Sequence, residues 1–352
     1  MIRLRHAACF LALIASVLPL GAAPPHPEAV IAGWRGPGAH PLAGTIVDLR
    51  SGEPVVRPLP PPDDRNGSAL VRMLELGRAK FVLLGEVHDN PEHHRLRAGM
   101  IDGLTEDGLF GRNYHPPVVS EHIRAEQAEA LAGFRREAAA AEEPPPVATL
   151  FRMIDWDRSG WPAASMFAPL YEAIVGARLK LVAGDPPRDR IRAVARGGEV
   201  ALTAEERTRL GLDKDLPAPL AAALSRELKG SHCGMLPDAA VPAIGLAQRY
   251  RDAHLAAALL GEEQIIGPAI LLAGNGHVRT DRGVPWYVRQ RAPAASSVAI
   301  MLVEVEAGRT DPASYLPRDP DGRPAADIVI LTPRAVREDP CERMRQHMQK
   351  KG

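Results

Sequence analysis

Two short segments share a pattern that could carry acid–base or metal chemistry: Gly85-Glu86-Val87-His88 and Gly274-Asn275-Gly276-His277. Each closes an apolar run, Phe81-Val82-Leu83-Leu84 before the first and Ala269-Ile270-Leu271-Leu272-Ala273 before the second. A third polar pair, Glu121-His122, follows Pro117-Val118-Val119-Ser120. In extended chain, residues i and i+2 point to the same side, so Glu86 and His88 can serve one site. Carboxylates and imidazoles drawn from three strand ends suit a first-row divalent metal such as Mn, Co or Zn, with water in any open position. Glu86, His88, Glu121 and His277 are therefore the candidate catalytic residues, and His88, Glu121 and His277 the candidate metal ligands. Asn275, Arg279 and Asp281 could orient ligands or substrate from behind. The competing reading is that Glu86 and His88 only cap the helix that follows. His94 reads as a surface residue, whereas His93, five positions past His88, is the candidate to look back toward the site.

An apolar run ended by glycine reads as a buried strand that stops and turns. In an open α/β sheet, ligands sit beyond the carboxyl ends of such strands. The remaining elements fit that frame. Residues 45–49 and 55–56 flank Ser51-Gly52-Glu53 as a small hairpin, and a helical pattern runs over 68–78. Pro91 opens a helix with Leu96, Met100, Ile101 and Leu104 on one face. Helices are expected over 125–141, 163–177 and 239–260, and further strands over 179–183, 298–305 and 327–331. Strands alternating with helices imply an α/β fold, a mainly parallel central sheet flanked by helices, with 186–260 as a helical insertion or cap.

Composition removes several classes. Lys and Arg number 43 against 43 Asp and Glu, which leaves no electrostatic footprint for nucleic acid. There is no Gly-x-Ser-x-Gly, no phosphate-binding glycine loop, no Cys-x-x-Cys-His and no His-Glu-x-x-His. Arg3 and Arg5, the apolar stretch from Cys9 to Leu20, and Gly21-Ala22-Ala23 read as a signal peptide over 1–23. The stretch is short for a membrane span, and a retained anchor is the alternative. Residues 24–43 read as a flexible leader, 44–341 as a single domain and 342–352 as a tail. Cys9 stands at the start of the apolar segment instead of after it, where it is badly placed for lipidation. The expectation is a periplasmic or secreted protein with no stable membrane span after cleavage. Cys233 and Cys341 then remain as an even pair, expected as a disulfide in an oxidising compartment, with two buried free thiols as the alternative. His232 and Gly234-Met235-Leu236-Pro237 either fold over the site or simply hold that disulfide.

Leu83 to His94, His232 to Pro237, Gln248 to Ala253, and Gly274 to Arg279 followed by Gly283-Val284-Pro285 resemble the motifs of the ChaN-like haem-binding family. The resemblance runs from about Gly44 to the Cys341 region. Its wider superfamily includes the Tiki metalloproteases and erythromycin-esterase-like proteins, marked by two Gly-x-x-His motifs and a glutamate on an intervening strand, here Glu121. The resemblance implies non-covalent haem binding in extracytoplasmic haem or iron uptake, with a homodimer as partner. Its alternative implication is a metal-dependent hydrolase acting on peptide or ester bonds. The absence of a lipobox departs from the lipoprotein members. Haem needs an axial ligand and cations for its propionates. Of Tyr114, Tyr171, Tyr250, Tyr287 and Tyr315, Tyr250 lies in a matching motif, with Arg249 or Arg251 beside it as propionate partner; a half-buried helix tyrosine is the competing reading.

Overall fold

Phe81–Leu84 and Ala269–Leu272 are each four apolar residues buried on both faces. Such runs belong in the middle of a parallel sheet covered by helices on both sides. The computed structural model describes Trp34 and residues 38–60, 68–105, 115–262 and 268–349. Its strands are β1 (Thr45–Asp48), β2 (Val55–Pro58), β3 (Phe81–Leu84), β4 (Val118–Arg124), β5 (Leu181–Asp185), β6 (Ala269–Leu272), β7 (Ser297–Glu304) and β8 (Ile328–Thr332). They form one eight-stranded sheet in the order β2-β1-β8-β7-β3-β6-β4-β5. From β8 to β5 every pairing is parallel, while β1 and β2 add an antiparallel edge. The expected signal peptide, the leader up to residue 33 and Tyr114 lie outside the described residues.

Strand alternation divides the core in two. Val82, Leu84, Ile270 and Leu272 face the helices Pro91–Thr105 and Ala164–Gly176. Phe81, Leu83, Ala269 and Leu271 face the helix Val241–Leu260. The expected insertion is found between β5 and β6 as the helices Arg188–Gly197, Ala204–Leu210, Ala218–Ser231 and Val241–Leu260. Most element ends differ from the sequence reading by a few residues, and two of these differences bear on the site. The strand expected over 179–183 runs over Leu181–Asp185, because Arg178 turns back in the left-handed region and Leu179 still hydrogen-bonds to Ile174 of the preceding helix. β4 continues through Glu121 and His122 to Arg124, past the last β6 partner at Leu272.

Cys233 and Cys341 form the expected disulfide, with Cα atoms 5.5 Å apart and 108 residues between them in sequence. It ties the end of the helix Ala218–Ser231 to the helix Pro340–Gln349. The segment at His232 therefore holds the disulfide. His232 Nδ1 is bonded to the Leu228 carbonyl at 2.7 Å. Closing so long a loop restricts the unfolded chain, and Cys233→Ala is expected to cost roughly 2–5 kcal/mol. Urea unfolding of the non-reduced protein checks this; an unchanged midpoint would contradict it.

Candidate functional site

β3 and β6 are parallel neighbours in the same register, so the two Gly-x-x-His segments leave the sheet side by side. Their glycines are there because the segments touch. A Cβ on Gly85 would sit 2.4 Å from Asn275 Oδ1, and one on Gly274 would sit 2.9 Å from His88 Cε1. Asn275 staples the second turn to β7, donating from Nδ2 to the Leu302 carbonyl at 2.7 Å. Arg279 and Asp281 pair with each other.

Beyond the strand ends lie two buried networks, one on each face of the sheet. The first is centred on Glu86. Its Oε1 accepts from His88 Nδ1 and from His122 Nε2, each at 2.7 Å, and its Oε2 accepts from Arg97. Arg97, wholly buried on the helix Pro91–Thr105, also donates to His94 Nδ1 at 2.9 Å. Burial pulls Arg97 down to about 9, so it stays charged at neutral pH. Burial and then the charge of Arg97 push His122 well down. It is neutral, with its proton on Nε2 toward Glu86 and with Nδ1 accepting from the Ser120 and Tyr171 hydroxyls.

The second network is centred on Glu121. Its Oε2 accepts from the Gly274 amide at 2.6 Å, and its Oε1 from Arg251 at 2.7 Å and His277 Nε2 at 3.2 Å. Arg251 also forks onto Asp185, and His277 Nδ1 donates to Asp252 at 2.6 Å. Burial alone would push the His277 ring down, but Glu121 and Asp252 on either side hold it up to about 10. It is therefore an imidazolium donating through both nitrogens. Burial acts against the charge of Glu121, but His277 and Arg251 outweigh it and keep the carboxyl well below the usual range.

His88 joins the two networks. Its Nδ1 is committed to Glu86, while its Nε2 lies 3.9 Å from Glu121 Oε1 with no donor on it. Burial lowers its pKa and keeps the ring neutral. A carboxylate behind one nitrogen leaves the other as an oriented lone pair, the arrangement seen behind metal-ligating histidines. That lone pair faces a crevice of about 370 Å³ whose far wall is Leu224, Glu227 and Leu228 of the insertion. Trp161 lies against the other side of the His88 ring, 4.7 Å between centroids.

All four candidate catalytic residues thus meet in one crevice. The proposed metal set meets too, but His277 has both nitrogens bound to carboxylates; the ligand atoms that lie within 4.8 Å of one another belong to Glu86, His88 and His122. Successive helix residues point about 100° apart, and this separates the haem-contact candidates. Arg251 enters the crevice with Gln248 and Asp252. Arg249 bonds to Tyr287, Asp215 and the Lys214 carbonyl. The buried Tyr250 donates to Glu206 at 2.9 Å and packs on His254, and it does not line the crevice. Tyr171, Tyr287 and Tyr315 are likewise buried, with their hydroxyls hydrogen-bonded. His94 corrects the sequence reading: it is buried under Phe167, with Nε2 bonded to the His88 carbonyl at 3.0 Å. His93 is also buried, but it holds the loop and not the crevice, binding the Val87 amide and the Thr332 hydroxyl. Nothing in the local sequence singles out Arg97 or Asp185 as partners.

A mostly parallel α/β sheet with a histidine–carboxylate crevice at its strand ends defines the class. The family model described as haem-binding uptake, Tiki superfamily, ChaN matches residues 72–288, and the chain belongs to that family. The structure is similar to one described as cofacial heme binding to ChaN of Campylobacter jejuni. That match has 17% identity and a TM-score of 0.57, and it covers 81% of this chain and 95% of that one. A Bacillus cereus protein is a more distant match, at 15% identity and a TM-score of 0.35 over 68% of this chain and 70% of that one. No curated protein matches the sequence.

One prediction tests the Glu86 network and a second the turn after His88. Removing one partner of a buried pair leaves the other charge uncompensated, so Arg97→Met should cost roughly 3–5 kcal/mol. Adding Glu86→Gln to that variant should restore part of the loss in urea unfolding; strictly additive losses would contradict the pairing. The turn after His88 is anchored by Glu304, which accepts from Asn90 at 2.7 Å, from the Ala335 amide at 3.0 Å and from Arg337. Burial raises the Glu304 pKa, but these bonds outweigh it and leave it depressed. Its stabilisation is thus complete above the unfolded value near 4.5 and fades as pH falls through the folded value. Glu304→Gln should cost about 1.5–3 kcal/mol at pH 7, and the difference from wild type should shrink below pH 4.5. A pH-independent difference would refute this role.

Proposed function

We propose that this protein binds haem non-covalently at the His88 crevice and serves extracytoplasmic haem or iron handling. The observation that carries the reading is the bare, carboxylate-backed Nε2 of His88 facing the crevice, while the four described tyrosines are buried and hydrogen-bonded. Haem asks for an axial ligand and an apolar wall. His88 would supply the first, and Leu224 and Leu228 contribute to the second. Bound haem would bring an iron centre for the His88 nitrogen to hold. Family membership and the cofacial haem of the Campylobacter jejuni relative support the assignment. A haem that faces a second haem needs a second protein surface, so a homodimer is the assembly we infer. The N-terminal pattern of Arg3, Arg5 and the following apolar stretch supports export, as does a disulfide spanning 108 residues. No helix among the described residues is long and apolar enough to cross a membrane.

A second reading, a metal-dependent hydrolase, is favoured by the close grouping of Glu86, His88 and His122. There the imidazolium of His277 would be a ready proton donor beside the ligand set. One preparation separates the two. Haemin added to the purified protein should give a Soret shift that is lost in His88→Ala and kept in Tyr250→Phe. Stoichiometric Mn, Co or Zn lost in His88→Ala and His122→Ala, with no Soret shift in wild type, would favour the hydrolase instead. A shift lost in Tyr250→Phe but kept in His88→Ala would overturn His88 as the ligand.

A further inference from the structure

The Ser159–Trp161 turn has two sides. On one, Trp161 covers His88 and donates Nε1 to the His122 carbonyl at 2.9 Å. On the other, the Ser159 carbonyl accepts from Arg124 Nη2 at 2.6 Å and also from Arg188, which donates in addition to the Arg158 carbonyl at 3.1 Å. Among the described residues, neither Arg124 nor Arg188 makes an ion pair. Of the carboxylates around them, Glu126 and Asp189 line the same cavity, Glu126 accepting from the Arg188 backbone amide at 3.3 and 3.4 Å and Asp189 lying 4.0 Å from Arg192, while Asp185 is forked by Arg251. Asp155 lies 3.6 Å from the exposed Arg158.

Two full positive charges therefore converge on one carbonyl oxygen, which carries only a partial negative charge. Burial first, and the charge of Arg188 second, hold Arg124 below the ordinary arginine range. An anion would relieve that repulsion, and paired guanidinium forks match a carboxylate in shape. The two side chains line a cavity of about 410 Å³. Arg124 ends β4, and Arg188 follows β5 by three residues, so the cavity opens on the same carboxyl edge of the sheet as the His88 crevice. The Ser159–Trp161 turn touches both, Trp161 against His88 and the Ser159 carbonyl against Arg124.

We propose that Arg124 and Arg188 form a carboxylate-binding site beside the crevice, the seat of a haem propionate when haem is held at His88. The propionate assignment rests on the haem reading above; the carboxylate site does not. The test uses the full protein and its Arg124→Gln/Arg188→Gln double variant, with the exposed Arg136→Gln, outside the cavity, as control. Soret titrations compare haemin with haemin dimethyl ester, whose propionates are uncharged, and calorimetry measures succinate alone. The double variant should weaken haemin on the order of tenfold or more and leave the ester unchanged, while Arg136→Gln changes neither. Succinate should bind wild type and not the double variant. If wild type takes up no haem, arginine-dependent succinate binding still supports the site and assigns it to a free carboxylate. Equal haemin affinity in wild type and double variant refutes the propionate seat. Succinate binding that is absent or insensitive to both arginines overturns the site.

Discussion

The structure of the crevice depends on a carboxylate that has no access to water. Glu86 stands at the end of the central strand, wholly buried, and an ion in that position persists only if neighbours replace its hydration. Arg97 supplies the opposite charge, and His122 and His88 supply hydrogen bonds. Each partner is fixed in return. His122 must keep its proton on the nitrogen facing Glu86, and His88 must turn Nδ1 inward. Orientation of the outward nitrogen of His88 is thus a consequence of burying Glu86, and the glycine at 274 leaves space for the ring to settle.

The period of the strand explains why one crevice contains two networks. Glu121 and His122 are consecutive on β4, so they point to opposite faces. Glu121 meets the helix Val241–Leu260 through Arg251, while His122 meets Glu86 and the aromatic cluster of Trp161 and Phe167. His88, leaving the sheet between them, is the one side chain among the described residues that touches both. The result is a neutral imidazole with a free lone pair a few ångströms from a carboxylate paired with an imidazolium. An electron-pair donor beside a proton donor suits ligation of a metal centre, and it explains how one site can be read as haem-binding or hydrolytic.

Much of this was legible in the residues. Uninterrupted apolar runs ended by glycine located β3 and β6, and the alternation of strands and helices implied a parallel sheet with the insertion at 186–260. The convergence of Glu86, His88, Glu121 and His277 followed from strand ends sharing one edge. What could not be read was which helix faces the strand ends meet. His94 and Arg97 look like charged surface positions until the helix Pro91–Thr105 is laid over Glu86. On the helix Val241–Leu260, a signal was present and easily missed. Gln248, Arg251 and Asp252 recur at i, i+3 and i+4 on an otherwise apolar helix, which puts them on one face and Tyr250 on another. Adjacency in a motif is not adjacency in space on a helix.

The central claim is that buried Glu86 fixes the tautomer of the neutral His88 ring, with its proton on Nδ1 and a bare lone pair on Nε2. Nitrogen-15 chemical shifts of the His88 ring, measured in the ligand-free protein at neutral pH, test it most directly. The account predicts a pyrrole-type shift for Nδ1 and a pyridine-type shift for Nε2, with the pattern lost in Glu86→Gln. A ring protonated on Nε2, or an imidazolium, would contradict it.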